Sequence, residues 1–129
     1  AMNKILVIDD STFMQYVIER VLKKHGYSYQ ISNSGEHALE LLENESNTPD
    51  LILCDVFMPE MDGIEFKKTI CCDPNLEKIP FIFMSGDEQP DPIQDESIQE
   101  GCRFLVKPFE SEELLDTIQK ALHESKEDK

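Results

Sequence analysis

Five polar residues follow short apolar runs of the chain, and their side chains are those that phosphate and magnesium chemistry uses. They are Asp9 and Asp10 after the run at 5–8, Asp55 after 51–54, Ser85 after 81–84 and Lys107 after 104–106. Carboxylate oxygens are the ligands that Mg²⁺ prefers, and a carboxylate can also attack phosphorus to form an aspartyl phosphate. An ammonium group and a hydroxyl can stabilise the charge of a transferring phosphoryl group.

The pattern suggests a separate role for each of these residues. Asp55 is the candidate nucleophile because it stands alone, whereas Asp9 and Asp10 are adjacent. Three carboxylates at one edge would repel one another, so we expect a bound Mg²⁺ there. Lys107 would neutralise phosphoryl charge, and Ser85 would donate a hydrogen bond to a phosphoryl oxygen. Singly, each residue is an ordinary helix cap or turn former, but those roles do not explain their shared placement.

The apolar runs themselves predict the elements that position these side chains. The runs are continuous rather than alternating, as is typical of parallel strands buried on both faces. A weaker alternation at 29–32 adds an exposed strand, and helical patterns separate the strands. The sequence therefore predicts a doubly wound α/β fold, with a five-stranded parallel sheet, five helices and three layers. Ligands of such sheets bind outside the carboxyl ends of the strands.

The helical patterns differ in strength along the chain. The first is the clearest, since apolar residues recur at helical spacing over 14–22 and Gly26 ends the pattern. Ser34 is expected to cap the second helix, and Ser111 the last. The fourth helix, at 90–101, is the poorest, because prolines delay its start and it has few apolar residues. We expect low local stability in that segment.

Size and charge exclude several classes of function. The 129 residues allow one domain. Twelve basic and 27 acidic residues give a net charge of −15, so direct binding to nucleic acid or to an anionic membrane is not expected. No apolar run approaches the roughly 18 residues that span a bilayer, and no secretory signal is evident. We expect a soluble, cytoplasmic protein whose four cysteines are reduced.

Four motifs resemble, in order, those of the receiver domain of two-component response regulators. They are Ile8-Asp9-Asp10-Ser11, Cys54-Asp55 with Met58-Pro59-x-Met61-Asp62-Gly63, Met84-Ser85-Gly86, and Phe104-Leu-Val-Lys107-Pro108-Phe109. The resemblance extends over residues 4–122. It implies a flavodoxin-like fold, similar to that of chemotaxis regulators, with strand order 2-1-3-4-5. It also implies a receiver domain at 2–125, followed by a charged tail at 126–129.

The resemblance implies a phosphoacceptor and a metal site. Asp55 would accept a phosphoryl group from a histidine kinase or a histidine phosphotransfer protein. Asp10, Asp55 and the backbone carbonyl of Phe57 would ligate Mg²⁺, with Asp9 acting mainly through water. The domain would catalyse its own phosphorylation and dephosphorylation without being a turnover enzyme.

The resemblance also implies a switch. Lys107 would contact a phosphoryl oxygen, Ser85 would supply the switch hydroxyl, and Phe104 would be the aromatic switch residue. Phosphorylation adds about −1.5 to −2 charge, which would draw Ser85 inward and let Phe104 turn in. The surface of the fourth helix, fifth strand and fifth helix would then change, to control a protein target or a fused output domain. A phosphorylation-dependent homodimer is a further expectation.

Two positions depart from the commoner receiver pattern. Phe57, two residues after the phosphoacceptor, places a bulky apolar side chain beside the phosphoryl group. Asp87, two residues after the switch serine, places a carboxylate there. We hypothesise that Phe57 hinders the attacking water and that Asp87 orients it.

Three other classes of protein use similar elements. A phosphatase of the haloacid dehalogenase type also forms an aspartyl phosphate, but it carries Asp-x-Asp after the first strand, where this chain has Asp9-Asp10. A module that binds a flavin phosphate needs backbone N–H donors after the first strand. Asp9 and Asp10 stand at that place and would repel the phosphate. An interaction scaffold that has lost phosphorylation usually lacks an acidic or lysine position, and all are present here. The pattern does not separate a stand-alone regulator from a piece of a longer protein.

Overall fold

The sheet is parallel throughout and has the expected strand order. A computed structural model of the chain describes residues 3–86 and 102–127, apart from the side chains beyond residue 124. Within these ranges the strands are β1 (Lys4–Ile8), β2 (Ser28–Ser32), β3 (Leu51–Asp55), β4 (Phe81–Gly86) and β5 (Cys102–Lys107). They pair in parallel in the order β2-β1-β3-β4-β5. The predicted doubly wound sheet and its order 2-1-3-4-5 are confirmed.

The described residues form four α-helices, where the sequence predicted five. They are α1 (Thr12–Lys24), α2 (Gly35–Leu42), α3 (Gly63–Ile70) and α4 (Ser111–Glu127), with a short 3-10 helix at Glu45–Asn47. The additional helix predicted at 90–101 lies outside the described residues. None of the helices within the described ranges is long and apolar enough to cross a membrane.

Capping residues set where the first three helices begin. The backbone N–H groups of Met14, His37 and Glu65 donate to the side chains of Ser11, Ser34 and Asp62, respectively. These bonds satisfy donors that the first helical turn leaves without a partner.

The predicted cap at Ser34 is therefore confirmed. Ser111 was predicted to cap the last helix, but it is already the first helical residue of α4. The helix begins one residue earlier than predicted, because the N–H of Leu114 donates to the backbone carbonyl of Glu110. At the other end of α1, Gly26 adopts a φ of +78°, which favours glycine and ends the helix as predicted.

Two hydrophobic clusters lie on opposite faces of the sheet. Alternate residues of each central strand enter different clusters: Ile5 and Val7 of β1 pack with α1 and α4, whereas Leu6 and Ile8 pack with α2 and α3. Successive side chains of a strand point to opposite faces, so a buried strand must be apolar at every position. All five residues of β3 are buried. The three predicted layers are therefore α1 and α4, the sheet, and α2 and α3.

The carboxyl ends of β1, β3, β4 and β5 form one edge of the sheet. Asp55, the last residue of β3, pairs in register with Met84 of β4. Strands β4 and β5 pair as far as Gly86 and Lys107, so Ser85 and Lys107 belong to the strands rather than to the loops after them. This edge is the place where the sequence predicted a site.

Candidate functional site

Asp9 is the most constrained side chain at the edge. It follows β1, is 0% exposed, and its Oδ1 accepts a 2.9 Å hydrogen bond from the N–H of Ser11. Its Oδ2 lies 3.0 Å from Nζ of Lys107. Its backbone N–H donates to the carbonyl of Ser32 at 3.1 Å, and its carbonyl accepts from Nε2 of Gln15 at 2.6 Å. Asp9 is therefore held through both its backbone and its side chain.

Asp55 lies beside the same lysine. It is 7% exposed, and its Oδ2 lies 3.2 Å from Nζ of Lys107. Burial raises the pKa of the Asp55 carboxyl, and the nearby Asp9 adds to this effect. Lys107 and a backbone hydrogen bond from Phe57 lower the same pKa, but they do not cancel the effect of burial. The folded state therefore holds Asp55 in an environment that penalises its negative charge.

Lys107 joins the two buried carboxylates. Burial by itself lowers the pKa of the ammonium, but the charges and hydrogen bonds of Asp9 and Asp55 raise the pKa above its ordinary value. Lys107 is therefore a cation at neutral pH. One ammonium against the carboxylates of Asp9, Asp55 and the neighbouring Asp10 leaves this edge with excess negative charge.

The donor set fits a hard divalent cation. One carboxylate oxygen from each of Asp9, Asp10 and Asp55 can be chosen such that all three lie within 4.8 Å of one another. Asp9 and Asp55 are buried, while Asp10 is exposed. Mg²⁺ takes oxygen ligands, keeps several waters and is usually held by one or two carboxylates. An all-oxygen site that is open to solvent on the Asp10 side has these properties.

The predicted switch residues lie on β4, which pairs with β3, and on β5, which pairs with β4 at the end of the sheet. Ser85 is buried in β4, one residue beyond the partner of Asp55 in the register. Phe104 of β5 is partly buried, and its ring stacks on that of Phe83, with centroids 5.4 Å apart and an interplanar angle of 21°. Phe104 therefore lies deeper in the sheet than the carboxylate edge.

Phe57 occupies the loop that leaves β3. Its side chain is 42% exposed, in contrast to the buried apolar residues Val56 and Met58 on either side. Phe57 is thus an exposed apolar side chain two positions after the buried Asp55. The other departure, Asp87, lies outside the described residues.

Two contacts, one at Val56 and one at Asp55, were missed by sequence analysis. The N–H of Gly63 donates to the carbonyl of Val56 at 2.8 Å, so the first residue of α3 lies against the end of β3. Cys54 donates its thiol to the carbonyl of Asp55 at 3.3 Å, and burial raises the pKa of that thiol well above its usual value. A glycine directly after the capping residue Asp62 was the available signal for the first contact. The second had no signal in the sequence.

The structure brings most of the predicted site residues together. Asp9, Asp10, Asp55 and Lys107 come together at one edge, with Ser85 on the adjacent strand. A buried carboxylate, a cation that contacts it and an all-oxygen donor set can support phosphoryl transfer to oxygen.

Comparisons with known proteins agree with this arrangement. The family model of the response regulator receiver domain matches residues 5–119. Chemotaxis protein CheY of Bacillus subtilis (strain 168) is 32% identical over 123 residues, which cover 94% of this chain and 98% of that protein. Two-component response regulator ORR11 of Oryza sativa subsp. indica is 38% identical over 105 residues, which cover 81% of this chain and 70% of that protein.

A solved structure shows the same fold. Chemotaxis protein CheY4 of Vibrio cholerae aligns with a TM-score of 0.83 and 30% sequence identity, covering 94% of this chain and 99% of that one. The strand order, the acidic edge and the match of the family model over most of the chain lead to one conclusion. The chain belongs to the response regulator receiver domain family of two-component signalling.

Proposed function

We propose that this receiver domain is controlled by a phosphoryl group carried on Asp55. The observation that supports this most directly is the position of the Lys107 ammonium, within 3.2 Å of the carboxylates of both Asp55 and Asp9. A cation already fixed at the acceptor neutralises phosphoryl charge without having to reorganise. The donor would be a histidine kinase or a histidine phosphotransfer protein, as membership of the family suggests.

We assign the Mg²⁺ ligands as Asp10, Asp55 and the backbone carbonyl of Phe57. Both oxygens of Asp9 already have partners, the N–H of Ser11 and the ammonium of Lys107, so Asp9 would act mainly through water. When bound, the metal ion neutralises charge on the phosphoryl oxygens. The exposed Asp10 is the ligand that a cation entering from solvent meets first.

The protein residues divide the transfer step between them. A carboxylate oxygen of Asp55 attacks phosphorus as the bond from phosphorus to the donor nitrogen breaks, and the product is an aspartyl phosphate. Lys107 holds one phosphoryl oxygen, and Ser85 donates a hydrogen bond to another. Each domain takes up one phosphoryl group and later loses it to water, so it acts as a signalling domain rather than as a turnover enzyme.

The switch would run from the edge to β5. The added charge draws the hydroxyl of Ser85 toward the phosphoryl group, which opens space beside β4. Phe104 is partly buried against Phe83, so its ring can turn into that space. The surface of β5 and α4 then presents a different face; the fourth helix that was predicted to share this surface lies outside the described residues. That face would control a protein target or a fused output domain, directly or through a phosphorylation-dependent homodimer.

Intact mass measurement tests the acceptor. The wild-type protein, incubated with Mg²⁺ and acetyl phosphate, should gain one phosphoryl group, about 80 Da by phosphate chemistry. Asp55→Asn should gain none. Asp116→Asn, at an exposed aspartate of α4 outside the site, should gain the same mass as wild type. Excess EDTA should abolish the gain. An equal gain in Asp55→Asn would disprove the assignment, and continued release of phosphate over many turnovers would show an enzyme instead.

A further inference from the structure

Strand β2 lies at one end of the sheet, so one side of its backbone has no neighbouring strand. Within the described residues its 5 residues pair with β1 alone, in a continuous register without a bulge. The N–H of Ser28 donates to the carbonyl of Asn3, and the carbonyl of Ser32 accepts from the N–H of Asp9. The even-numbered residues of β2 therefore form their backbone hydrogen bonds toward β1.

The backbone groups of Tyr29 and Ile31 point the other way, because successive residues of a parallel strand direct their N–H and carbonyl groups to alternate sides. No residue in the described ranges bonds to these outward groups. A cavity of about 330 Å³ reaches Ile31 and Asn33 at the end of β2, so the neighbouring helices do not close over the edge there. Both N–H and both carbonyl groups are thus available to another strand.

The edge at β2 lacks the features that usually protect an exposed edge strand. Charged side chains, proline or a bulge normally prevent such a strand from pairing with other chains. Residues 25–35, which contain β2, include no aspartate, glutamate, lysine, arginine or proline, although the chain has 27 acidic and 12 basic residues. At the opposite end of the sheet, β5 carries Arg103 and Lys107. The two edges of the sheet therefore differ in their protection against pairing.

We propose that β2 pairs in antiparallel orientation with β2 of a second copy of this chain, so that two sheets join into one. With Gln30 at the twofold axis, Tyr29 lies opposite Ile31 of the second copy. Residues opposite each other at such a position exchange both of their N–H···O bonds. Symmetry repeats this exchange on the other side of the axis. Every backbone group of Tyr29 and Ile31 then has a partner.

The side chains of β2 suit the same register. Tyr29 and Ile31 are partly buried against the hydrophobic cluster that α1 and α4 cover, so they lie on one face of the sheet. In the pair, each aromatic ring would lie beside the β-branched side chain of the other copy, a combination that stabilises antiparallel sheets. Gln30 points to the opposite face, where its amide would meet its own counterpart. An amide both donates and accepts hydrogen bonds, so it is complementary to itself.

A second copy fits this edge better than a strand of another protein, because each outward group finds its complement within the same segment. Each copy has a net charge of −15, but like charges are absent from the strands that meet. The pairing requires no phosphoryl group, since β1 separates β2 from the strand that carries Asp55. It also lies at the other end of the sheet from the surface of β5 and α4. This inference is therefore independent of the function proposed for Asp55.

Sedimentation equilibrium of the unphosphorylated protein in EDTA tests the proposal. Wild type should pass from monomer to dimer between about 10 µM and 1 mM, since a contact between two short strands is small and weak. Gln30→Glu and Gln30→Lys each place like charges opposite each other at the axis, so each should weaken dimerisation roughly fivefold or more. An equimolar mixture of the two variants should dimerise again, because glutamate then lies opposite lysine.

Two further measurements locate the contact. Gln119→Glu and Gln119→Lys make the same charge changes at an exposed glutamine of α4 and should dimerise like wild type. Amide hydrogen exchange of wild type, followed by NMR, reports the backbone directly. Exchange at Tyr29 and Ile31 should slow as the protein concentration rises, because their N–H groups become bonded only in the dimer. Exchange at Gln30 should depend much less on concentration, since its N–H already bonds to β1.

Several results would overturn the proposal. They are a wild type that stays monomeric throughout the concentration range, a dimer that the Gln30 variants do not weaken, and a mixture of those variants that stays monomeric while each is folded by circular dichroism. A dimer in which exchange at Tyr29 and Ile31 does not change with concentration would place the contact elsewhere. Equal weakening in the Gln119 variants would show a general effect of charge. Restored dimerisation in the mixture excludes misfolding of either Gln30 variant.

Discussion

Gly63 packs against the backbone of Asp55 so closely that a Cβ atom at Gly63 would lie 2.3 Å from the Asp55 carbonyl oxygen. The same Cβ would lie 3.0 Å from Cα of Val56. Backbone atoms cannot move aside as the end of a flexible side chain can. Helix α3 can therefore pack this closely against the strand that carries the proposed phosphoacceptor only because Gly63 has no side chain.

We expect Gly63→Ala to reduce the free energy of unfolding by about 3 kcal/mol, as overpacking against fixed atoms does. The matched control is Gly35→Ala, since Gly35 is also the first residue of a helix after its cap. There the nearest atoms to the new Cβ would all belong to the side chain of Met61, with Sδ at 2.8 Å and Cγ at 3.1 Å, and the end of that side chain can turn away. Urea denaturation measures the free energy of unfolding of both variants. Equal stability of the two variants would contradict the proposed role of the close contact.

Asp55→Asn should stabilise the unphosphorylated protein at neutral pH in EDTA. Burial raises the pKa of Asp55 in the folded state, so its stabilising contribution is present below the unfolded pKa of about 3.9 and is lost as the pH rises through the folded pKa. Asparagine removes the charge that folding penalises. The advantage of the variant should therefore shrink as the pH falls toward 4, where Asp55 takes up a proton.

Thermal melts from pH 3.5 to pH 8, roughly the range that spans the titration of aspartate, would show this dependence. Asp116→Asn provides the control, because Asp116 is exposed and pairs with the exposed Lys120 on the same helix. It should show no stabilisation at neutral pH. A destabilised Asp55→Asn at neutral pH would mean that the attraction of Lys107 outweighs burial.

Lys107→Gln should destabilise the protein by about 2–4 kcal/mol in EDTA, because it leaves the fully buried Asp9 and the nearby Asp55 without their cation. Lys120→Gln breaks an exposed pair within α4 and should change stability by less than about 1 kcal/mol. Differential scanning calorimetry of both variants measures the contrast.

Addition of Mg²⁺ extends the Lys107 experiment. A divalent cation would replace part of the missing positive charge, so the midpoint of Lys107→Gln should rise more with Mg²⁺ than that of wild type. Equal shifts in the two proteins would place the bound ion away from the carboxylates that Lys107 contacts.

Phe57→Ala should shorten the lifetime of the phosphorylated protein severalfold. On our hypothesis the exposed ring of Phe57 hinders the attacking water, and alanine would open that path. Phe57→Leu keeps most of the bulk and should retain a lifetime close to that of wild type. The rate of dephosphorylation is measured as the loss of the added phosphoryl mass with time after the phosphodonor is removed. A lifetime unchanged in Phe57→Ala would exclude steric shielding.

The strand ends could be predicted from the sequence because buried parallel strands must be apolar at every position. This rule placed Asp9, Asp55 and Lys107 at one edge, and the structure brings them into contact. The close approach of Gly63 to Asp55 could not be predicted, since it depends on how α3 packs against β3. Strand β4 is longer than predicted, because its pairing with β5 continues through Ser85 to Gly86.

Roles that depend on a ligand stay predictions. These are the hydroxyl of Ser85 as a phosphoryl contact, the carbonyl of Phe57 as a metal ligand and the turning of Phe104. Each describes a state of the protein with a bound group. The arrangement of the unliganded side chains gives their starting positions.

Among the residues that the structure describes, the two hydrophobic clusters share no helix, since α1 and α4 cover one face of the sheet while α2 and α3 cover the other. The outer surface of α1 can therefore diversify between related proteins without disturbing the packing beneath α2 and α3. The carboxylates come from β1 and β3, which both layers enclose. Substitutions on the outer surface of α1 are therefore expected to leave the carboxylate edge and the opposite layer in place.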